Sequence, residues 1–223
     1  MIGIVLPILQ EAAILEAALE YLARIAADCP VVVVDGGSSD DSAEIARRRF
    51  ATEQCSRACR AVQMNRGAAC LQADALLFLH ADSRLPAAFQ LHIRRALEDP
   101  RVVGGCFRLR FDEAHPLLRF YAWCTRFRGR FLHFGDQGFF VRQEVFRKMG
   151  GYRELPFLED VDLLRRLRRY GRFAVVEEPI VTSARRFVRC GMVRQQLVNI
   201  LAVALFELGI SAHRLVRLYP PVR

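Results

Sequence analysis

Residues 76–86 read LLFLHADSRLP, an apolar run that stops abruptly at a histidine and an aspartate. A short apolar run bounded by polar residues is the pattern of a central strand buried on both faces. In open α/β sheets ligands gather at the carboxyl ends of such strands, which puts His80 and Asp82 where functional groups belong. Taken alone, Asp82 also reads as the cap of a helix starting near Pro86. Three further acidic stretches bear on that choice.

Upstream, residues 31–34 are four consecutive valines, a run that a strand buried on both faces explains well. Asp35 closes that strand, Gly36 and Gly37 make a tight turn, and Ser38 or Ser39 is placed to cap a helix over 40–50. Residues 2–6 form an earlier β-branched run ended by Pro7, with Glu11 just before a helical pattern (Ile14, Leu15, Ala18, Leu19, Leu22, Ile25). This βαβα opening predicts an α/β fold with a mostly parallel central sheet flanked by helices. Asp35 is positioned to accept hydrogen bonds from a base or ribose at the sheet edge, or else is a solvated turn residue. The glycines match neither GxGxxG nor GxxxxGK, so neither a dinucleotide fingerprint nor a P-loop is supported.

Downstream and just before the organising strand, residues 54–59 read as loop. Residues 60–73 have small and amide residues in helical register, where Gln63 and Asn65 either line a site or sit exposed. A helix over 87–97 leads to a strand over 102–111, where Arg108 and Arg110 alternate with Phe107, Leu109 and Phe111 and mark one polar face. Residues 114–128 predict an aromatic-rich helix (Phe120, Tyr121, Trp123, Phe127), read as core or as the wall of an acceptor site. HFGDQGFFVRQEVF (133–146) then sets Asp136 and Gln137 in a glycine-flanked loop before a short strand. GGYRELPFLEDVDLLRRL (150–167) sets Glu159 and Asp160 at the start of a basic amphipathic helix. Dipole complementarity alone would also favour carboxylates there. Phe157 and Leu158, however, predict a partly buried helix start, and a desolvated carboxylate suits a general base.

At 223 residues and 52% hydrophobic content the chain suits one compact domain, predicted over 1–190, with a helical extension over 191–223. The net charge is +9, and all 33 basic residues but Lys148 are arginine, which fits codon bias as well as a phosphate-rich or anionic partner. The seven cysteines have no CxxC pair and no histidine cluster, which fits reduced thiols. The N-terminus lacks the pattern of a secretory signal, so the expected place is the cytoplasm, with the inner face of the membrane as an option. That option comes from residues 191–218, helical in pattern, whose uncharged run over 195–206 is shorter than the ~20 residues of a spanning helix. It is read as an amphipathic helix that lies on a membrane surface, pairs with another copy or partner, or docks on its own domain.

Five motifs in this order carry a resemblance: Pro7 with Glu11, VVDGGSSD (33–40), LFLHAD (77–82), GDQGFF (135–140) and LEDVDLLRRL (158–167). Together with the terminal RLYPPVR they are similar to the family 2 glycosyltransferases of the GT-A fold. They most resemble a small bacterial subgroup with HAD in place of the aspartate pair, a subgroup associated with arsenosugar biosynthesis. The resemblance implies a nucleotide diphosphate sugar as donor, an acceptor hydroxyl, and inverting transfer. It implies that Pro7, Glu11, Asp35, Gln63, His80, Arg185 and Arg186 serve the donor nucleotide. Asp82 would hold Mg²⁺ or Mn²⁺, Asp136 and Gln137 would line the acceptor or sugar site, and Asp160, with Glu159 beside it, would be the catalytic base.

Three positions depart from the family pattern. His80 stands where the first carboxylate of DxD is expected, Gly36 replaces the second aspartate of DDGS, and no QxxRW follows the ED motif. Arg185, Arg186 and Phe187 are the candidates for its diphosphate-gripping role, with a solvated basic strand end as the alternative. A nucleotide-sugar-binding protein with a degenerate transferase site is therefore a second reading. A basic nucleic-acid binder is a third, but the sequence has neither a zinc-ligand set nor an RNA-binding aromatic signature, so no nucleic-acid partner is expected.

Overall fold

The structure is a computed structural model and describes residues 1–55, 58–127 and 133–218. In chain order the elements are β1 (Ile2–Ile8), α1 (Ala12–Ile25), β2 (Val31–Asp35), α2 (Ser42–Arg47), β3 (Ala51–Gln54), α3 (Arg60–Ala69), β4 (Ala75–Phe78), β5 (Ser83–Arg84), α4 (Phe89–Leu97), β6 (Val102–Phe111) and α5 (Pro116–Cys124). A 3₁₀ turn (Gly135–Gln137) precedes β7 (Phe139–Arg142), α6 (Gln143–Lys148), α7 (Glu159–Leu167), β8 (Arg172–Thr182), α8 (Arg185–Cys190), α9 (Met192–Glu207) and α10 (Ala212–Leu215).

The strands among the described residues form one sheet in the order β3-β2-β1-β4-β7-β6-β8-β5. Its first four strands are parallel, as the βαβα opening predicts, but β7 runs antiparallel to both β4 and β6, and β5 antiparallel to β8. Strand β8 is parallel to β6, so six of these eight strands run in one direction and the sheet, though mixed, is mostly parallel as expected. Alternation along each strand splits the core between its two faces. Ile4, Leu6, Val31 and Val33 pack with Leu15 and Leu19 of α1 and Phe89 of α4, while Val5, Val32 and Val34 pack with Met64 of α3 and Leu164 of α7. That is why only a run such as VVVV serves in β2: every position meets a hydrophobic layer.

Pro7 does not end β1, which continues to Ile8. The pairing of β1 with β4 stops at Val5, so Pro7 lies beyond that edge and its missing N–H removes no bond on the β4 side. Strands β3 and β8 and helix α6 go beyond the elements expected from sequence, and the helix predicted over 40–50 spans only Ser42–Arg47. The helix expected over 114–128 runs from Pro116 to Cys124. Residue 128 lies outside the described residues, as do 219–223 of the terminal motif. Its aromatics are not core: Leu118 is buried, but Phe120, Trp123 and Phe127 are exposed.

The C-terminal segment is not one amphipathic helix. It breaks at Gly209, whose φ is +91°, and α9 buries Ala202, Val203 and Phe206 against Leu158 and Val161 while leaving Leu197, Ile200 and Leu201 exposed. Both flanks of α9 are apolar. No helix among the described residues is long and apolar enough to cross a membrane.

Candidate active site

The residues singled out from sequence converge on the carboxyl edge of the parallel half-sheet. Glu11 follows β1, Asp35 ends β2, His80 and Asp82 follow β4, Asp136 sits in the 3₁₀ turn, Asp160 starts α7 and Arg185 starts α8. Backbone strain marks the two acidic entries. Among the described residues only Gln10 (φ +55°) and Leu158 (φ +60°) hold left-handed backbone without being glycine, and they directly precede Glu11 and Glu159. Such positions cost about 1–3 kcal/mol and persist where surrounding structure dictates them.

Arg185 reaches across the cleft to Glu11 at 3.4 Å and to Asp82 at 3.7 Å. Burial raises the pKa of both carboxyls, and Arg185 opposes that rise in each. On the far side the backbone N–H of Gly135 donates to Asp160 Oδ2 at 2.6 Å, and Asp160 Oδ1 accepts from the N–H of Val161 at 2.8 Å. Position 135 is tight: an added Cβ would lie 3.1 Å from His80 Nε2 and 3.4 Å from Asp160 Oδ2, so the imidazole would have to give by a few tenths of an ångström. Next to it Asp136 has its pKa raised to about 7, chiefly by burial and then by the charges of Asp160 and Asp82, and its Oδ1 is buried without a hydrogen-bond partner.

His80 is a neutral imidazole. Burial, then the charge of Arg60, lowers its pKa to about 3, and its Nε2 is buried without a hydrogen-bond partner. An unprotonated ring nitrogen is a competent metal ligand. Among the described residues no three His, Cys, Asp or Glu side chains are grouped to hold an ion. A divalent cation fits here only as a site completed by a ligand: Asp82 supplies a carboxylate, and phosphate oxygens must supply most of the rest.

Other expected residues are placed but committed elsewhere. Asp35 is fully buried and accepts from the N–H groups of Gly37 (3.1 Å) and Ser38 (3.1 Å) and from Ser38 Oγ (2.5 Å), so its carboxylate builds the turn. Gln63 is neither an exposed amide nor turned into the cleft: its Nε2 donates to the carbonyls of Ile8 (2.9 Å) and Val34 (2.8 Å), bracing β1 against β2. Asn65 likewise closes a pair of bonds with the backbone of Tyr152, pinning the approach to α7. Gln137 is buried against Cys106 Sγ at 3.2 Å and His133 Nδ1 at 2.9 Å, which anchors the turn beneath Asp136 instead of lining a sugar site. Glu159 is buried and paired with Arg60 at 3.2 Å, and its raised pKa comes first from burial. Asp162 holds Arg166 (2.6 Å), Arg165 (3.0 Å) and Arg153 (3.4 Å). Arg186 is half-buried beside Arg185.

The residue that sequence reasoning missed is Arg60, the first residue of α3. It pairs with Glu159 and acts on Asp82, Asp136 and His80, so it is the cation about which the cleft's far side is arranged. An arginine opening a helix carries no such signal in sequence.

A sheet whose parallel half ends in this carboxylate cleft, with an antiparallel strand leading out of the 3₁₀ turn, defines a GT-A-type glycosyltransferase fold. The chain belongs to glycosyl transferase family 2, whose sequence profile matches residues 3–154. No curated protein matches the sequence significantly. Among solved structures, a mannosyltransferase of Pyrobaculum calidifontis, determined with GDP-Man and Mn²⁺, superposes with a TM-score of 0.70 at 19% identity over 92% of this chain and 64% of that one. The 1-349 portion of S. aureus TarS superposes with a TM-score of 0.69 at 12% identity, over 94% and 66% of the two chains. Glucosyl-3-phosphoglycerate synthase of Mycobacterium tuberculosis, with Mn²⁺, UDP and glucosyl-3-phosphoglycerate, gives 0.64 at 17% identity over 94% and 80%. Identity this low speaks for the fold alone. The chain spans less than two thirds of the mannosyltransferase it matches.

Proposed function

We propose that the chain transfers a sugar, with inversion, from a nucleotide diphosphate donor to an acceptor hydroxyl, with Mg²⁺ or Mn²⁺ held by Asp82. The observation that carries this reading is the convergence of Asp82, Asp136 and Asp160 with Arg60 and Arg185 at the carboxyl edge of a family 2 sheet. In it the donor nucleoside lies over Pro7, Glu11 and the turn that Asp35 builds. Arg185 leaves Asp82 and Glu11 for the diphosphate, which its planar fork suits. Arg186 lies next in line for the same oxygens. A bound divalent ion would neutralise charge on the departing diphosphate.

Asp160 takes the proton from the acceptor hydroxyl as its oxygen attacks the anomeric carbon. The bond from that carbon to the diphosphate oxygen breaks on the opposite face, so one displacement inverts the centre. Asp136, with its pKa raised to about 7, is protonated in about half of the molecules at pH 7. Membership of the subgroup with His-Ala-Asp at 80–82, and with it a link to arsenosugar biosynthesis, belongs to the same proposal. So do a cytoplasmic place of work, a transferase unit over 1–190 and an extension over 191–223 that meets a membrane face or a second copy.

The test is a thermal-shift panel of nucleotide diphosphate sugars with and without Mn²⁺, followed by a transfer assay on the donor that binds. A donor that stabilises the chain only with metal and is turned over supports the reading. A donor bound without turnover of any acceptor would make this a binding protein with a degenerate site, as His80 and Gly36 allow.

A further inference from the structure

We infer that the face formed by α5, α8 and α9 is a docking surface for an anionic lipid bilayer. Of the thirteen large apolar side chains exposed among the described residues, ten lie within residues 120–127 and 188–210. The two segments are neighbours in space: α5 lies beside α9, and the rings of Tyr121 and Phe187 stand 5.9 Å apart. On α9, Leu197, Ile200 and Leu201 follow helical spacing and form a stripe on the side away from the buried Ala202, Val203 and Phe206. Beside α9, Phe120, Trp123 and Phe127 form an aromatic ladder, with Phe120 stacked on Trp123 at 6.1 Å and Trp123 edge-on to Phe127 at 4.8 Å. Exposed apolar surface concentrated in one patch marks an interaction site.

Charge selects the occupant. Residues 114–127 and 188–210 contain four arginines (Arg119, Arg126, Arg189 and Arg194) against one acid, Glu207. Arg119, Arg126 and Arg194 are exposed, and Arg126 lies over the Trp123 ring at 5.7 Å. An apolar stripe with aromatic anchors and a predominantly cationic border complements an acyl boundary beneath anionic headgroups. A second copy docked face to face would set these arginines against their own kind. The same helix α8 that begins with Arg185 in the cleft continues to the exposed Val188 and Arg189, so the docked face adjoins the site.

The unmodified full chain tests this without donor or acceptor, because its single tryptophan is Trp123. With vesicles of phosphatidylcholine plus phosphatidylglycerol, Trp123 fluorescence should shift to the blue and be quenched by brominated acyl chains, and added salt should reverse both. Pure phosphatidylcholine should give little change. Arg119→Gln, Arg126→Gln and Arg194→Gln should each weaken sedimentation with the anionic vesicles by about fivefold at low salt. Leu197→Ser with Ile200→Ser should abolish it while leaving the melting temperature in place. An unchanged Trp123 spectrum on anionic vesicles overturns the inference. So does a dimer in sedimentation equilibrium that Leu197→Ser dissociates, since a second copy would then cover the face. These outcomes are independent of whether the transferase reading holds.

Discussion

The backbone N–H of Gly135 donates to Asp160 Oδ2 at 2.6 Å, so the loop carrying Asp136 and the helix start carrying the candidate base are tied together directly. In Asp160→Asn the amide oxygen can still accept that bond, at the expense of the 2.8 Å bond from the Val161 N–H, and the variant should stay folded and bind donor. Its turnover should fall by ~10²- to 10⁴-fold, the range of a lost general base, with the donor Kd little changed. Asp162→Asn is the contrast. Removing the buried partner of three arginines should cost roughly 3–5 kcal/mol of stability, read in a denaturant melt, with far less effect on turnover per folded molecule. Comparable loss of turnover from Asp162→Asn, or an active Asp160→Asn, would reassign the base.

His80→Asp restores a carboxylate beside Asp82. Because charge count tunes the affinity of hard cations, Mn²⁺ binding to the nucleotide-free chain should tighten by about tenfold or more. Calorimetry or the loss of the free-Mn²⁺ paramagnetic signal measures this without any assay of transfer. Tight Mn²⁺ binding by the unmodified chain alone would contradict a site completed by the diphosphate.

Asp136 gives the protein a signed pH dependence. Its pKa rises from 3.8 to about 7 in the folded state, so the native chain holds this proton more tightly than the unfolded one. Its share of stability therefore declines as pH climbs from about 4 to about 7 and is flat above, by the order of a few kcal/mol. Asp136→Asn should remove that slope and be more stable than the parent at pH 8, as read by urea midpoints across the range. An unchanged slope in the variant would place the titrating group elsewhere.

Gly36 and Gln63 form a coupled pair. An added Cβ at 36 would lie 3.0 Å from Gln63 Nε2, the atom that braces β1 against β2. Gly36→Asp should therefore cost about 1–3 kcal/mol, the scale of leaving buried partners unsatisfied. Gln63→Ala should cost a similar amount. In the double variant the two losses should fall short of their sum by more than about 0.5 kcal/mol, and strict additivity would show that Gln63 yields freely.

How far the sequence reaches depends on what each residue answers to. The valines of β2 are legible because burial on both faces leaves one composition, and β6 is legible because Phe107, Leu109 and Phe111 alternate with Arg108 and Arg110 behind a buried start at Val102. Strand β8 is not, since RFAVVEEPIVT mixes paired glutamates and a proline into a half-exposed strand, and its parallel partner β6 lies about 70 residues earlier. Glu11, Asp82 and Asp160 stand out because each sits where a periodic segment begins or ends. Gln63 and Arg60 lie inside or at the start of the same helix, and only tertiary placement separates a brace between strands from a cation at the cleft. Glu159, whose partner Arg60 is 99 residues away, could not announce that it is half of an ion pair.

The pairing of Arg185 with Glu11 joins positions 174 residues apart. During synthesis Glu11 and Asp82 emerge first, and the β1–β4 layer can assemble while the cation that will face them is still untranslated. Until then Arg60 is the cation of the cleft already in place near Asp82, and Glu11 still lacks its partner. It acquires its balancing arginine only when β8 has found β6 and α8 has followed it into place. A stalled or clipped product lacking α8 would carry the family sheet with Glu11 and Asp82 deprived of Arg185.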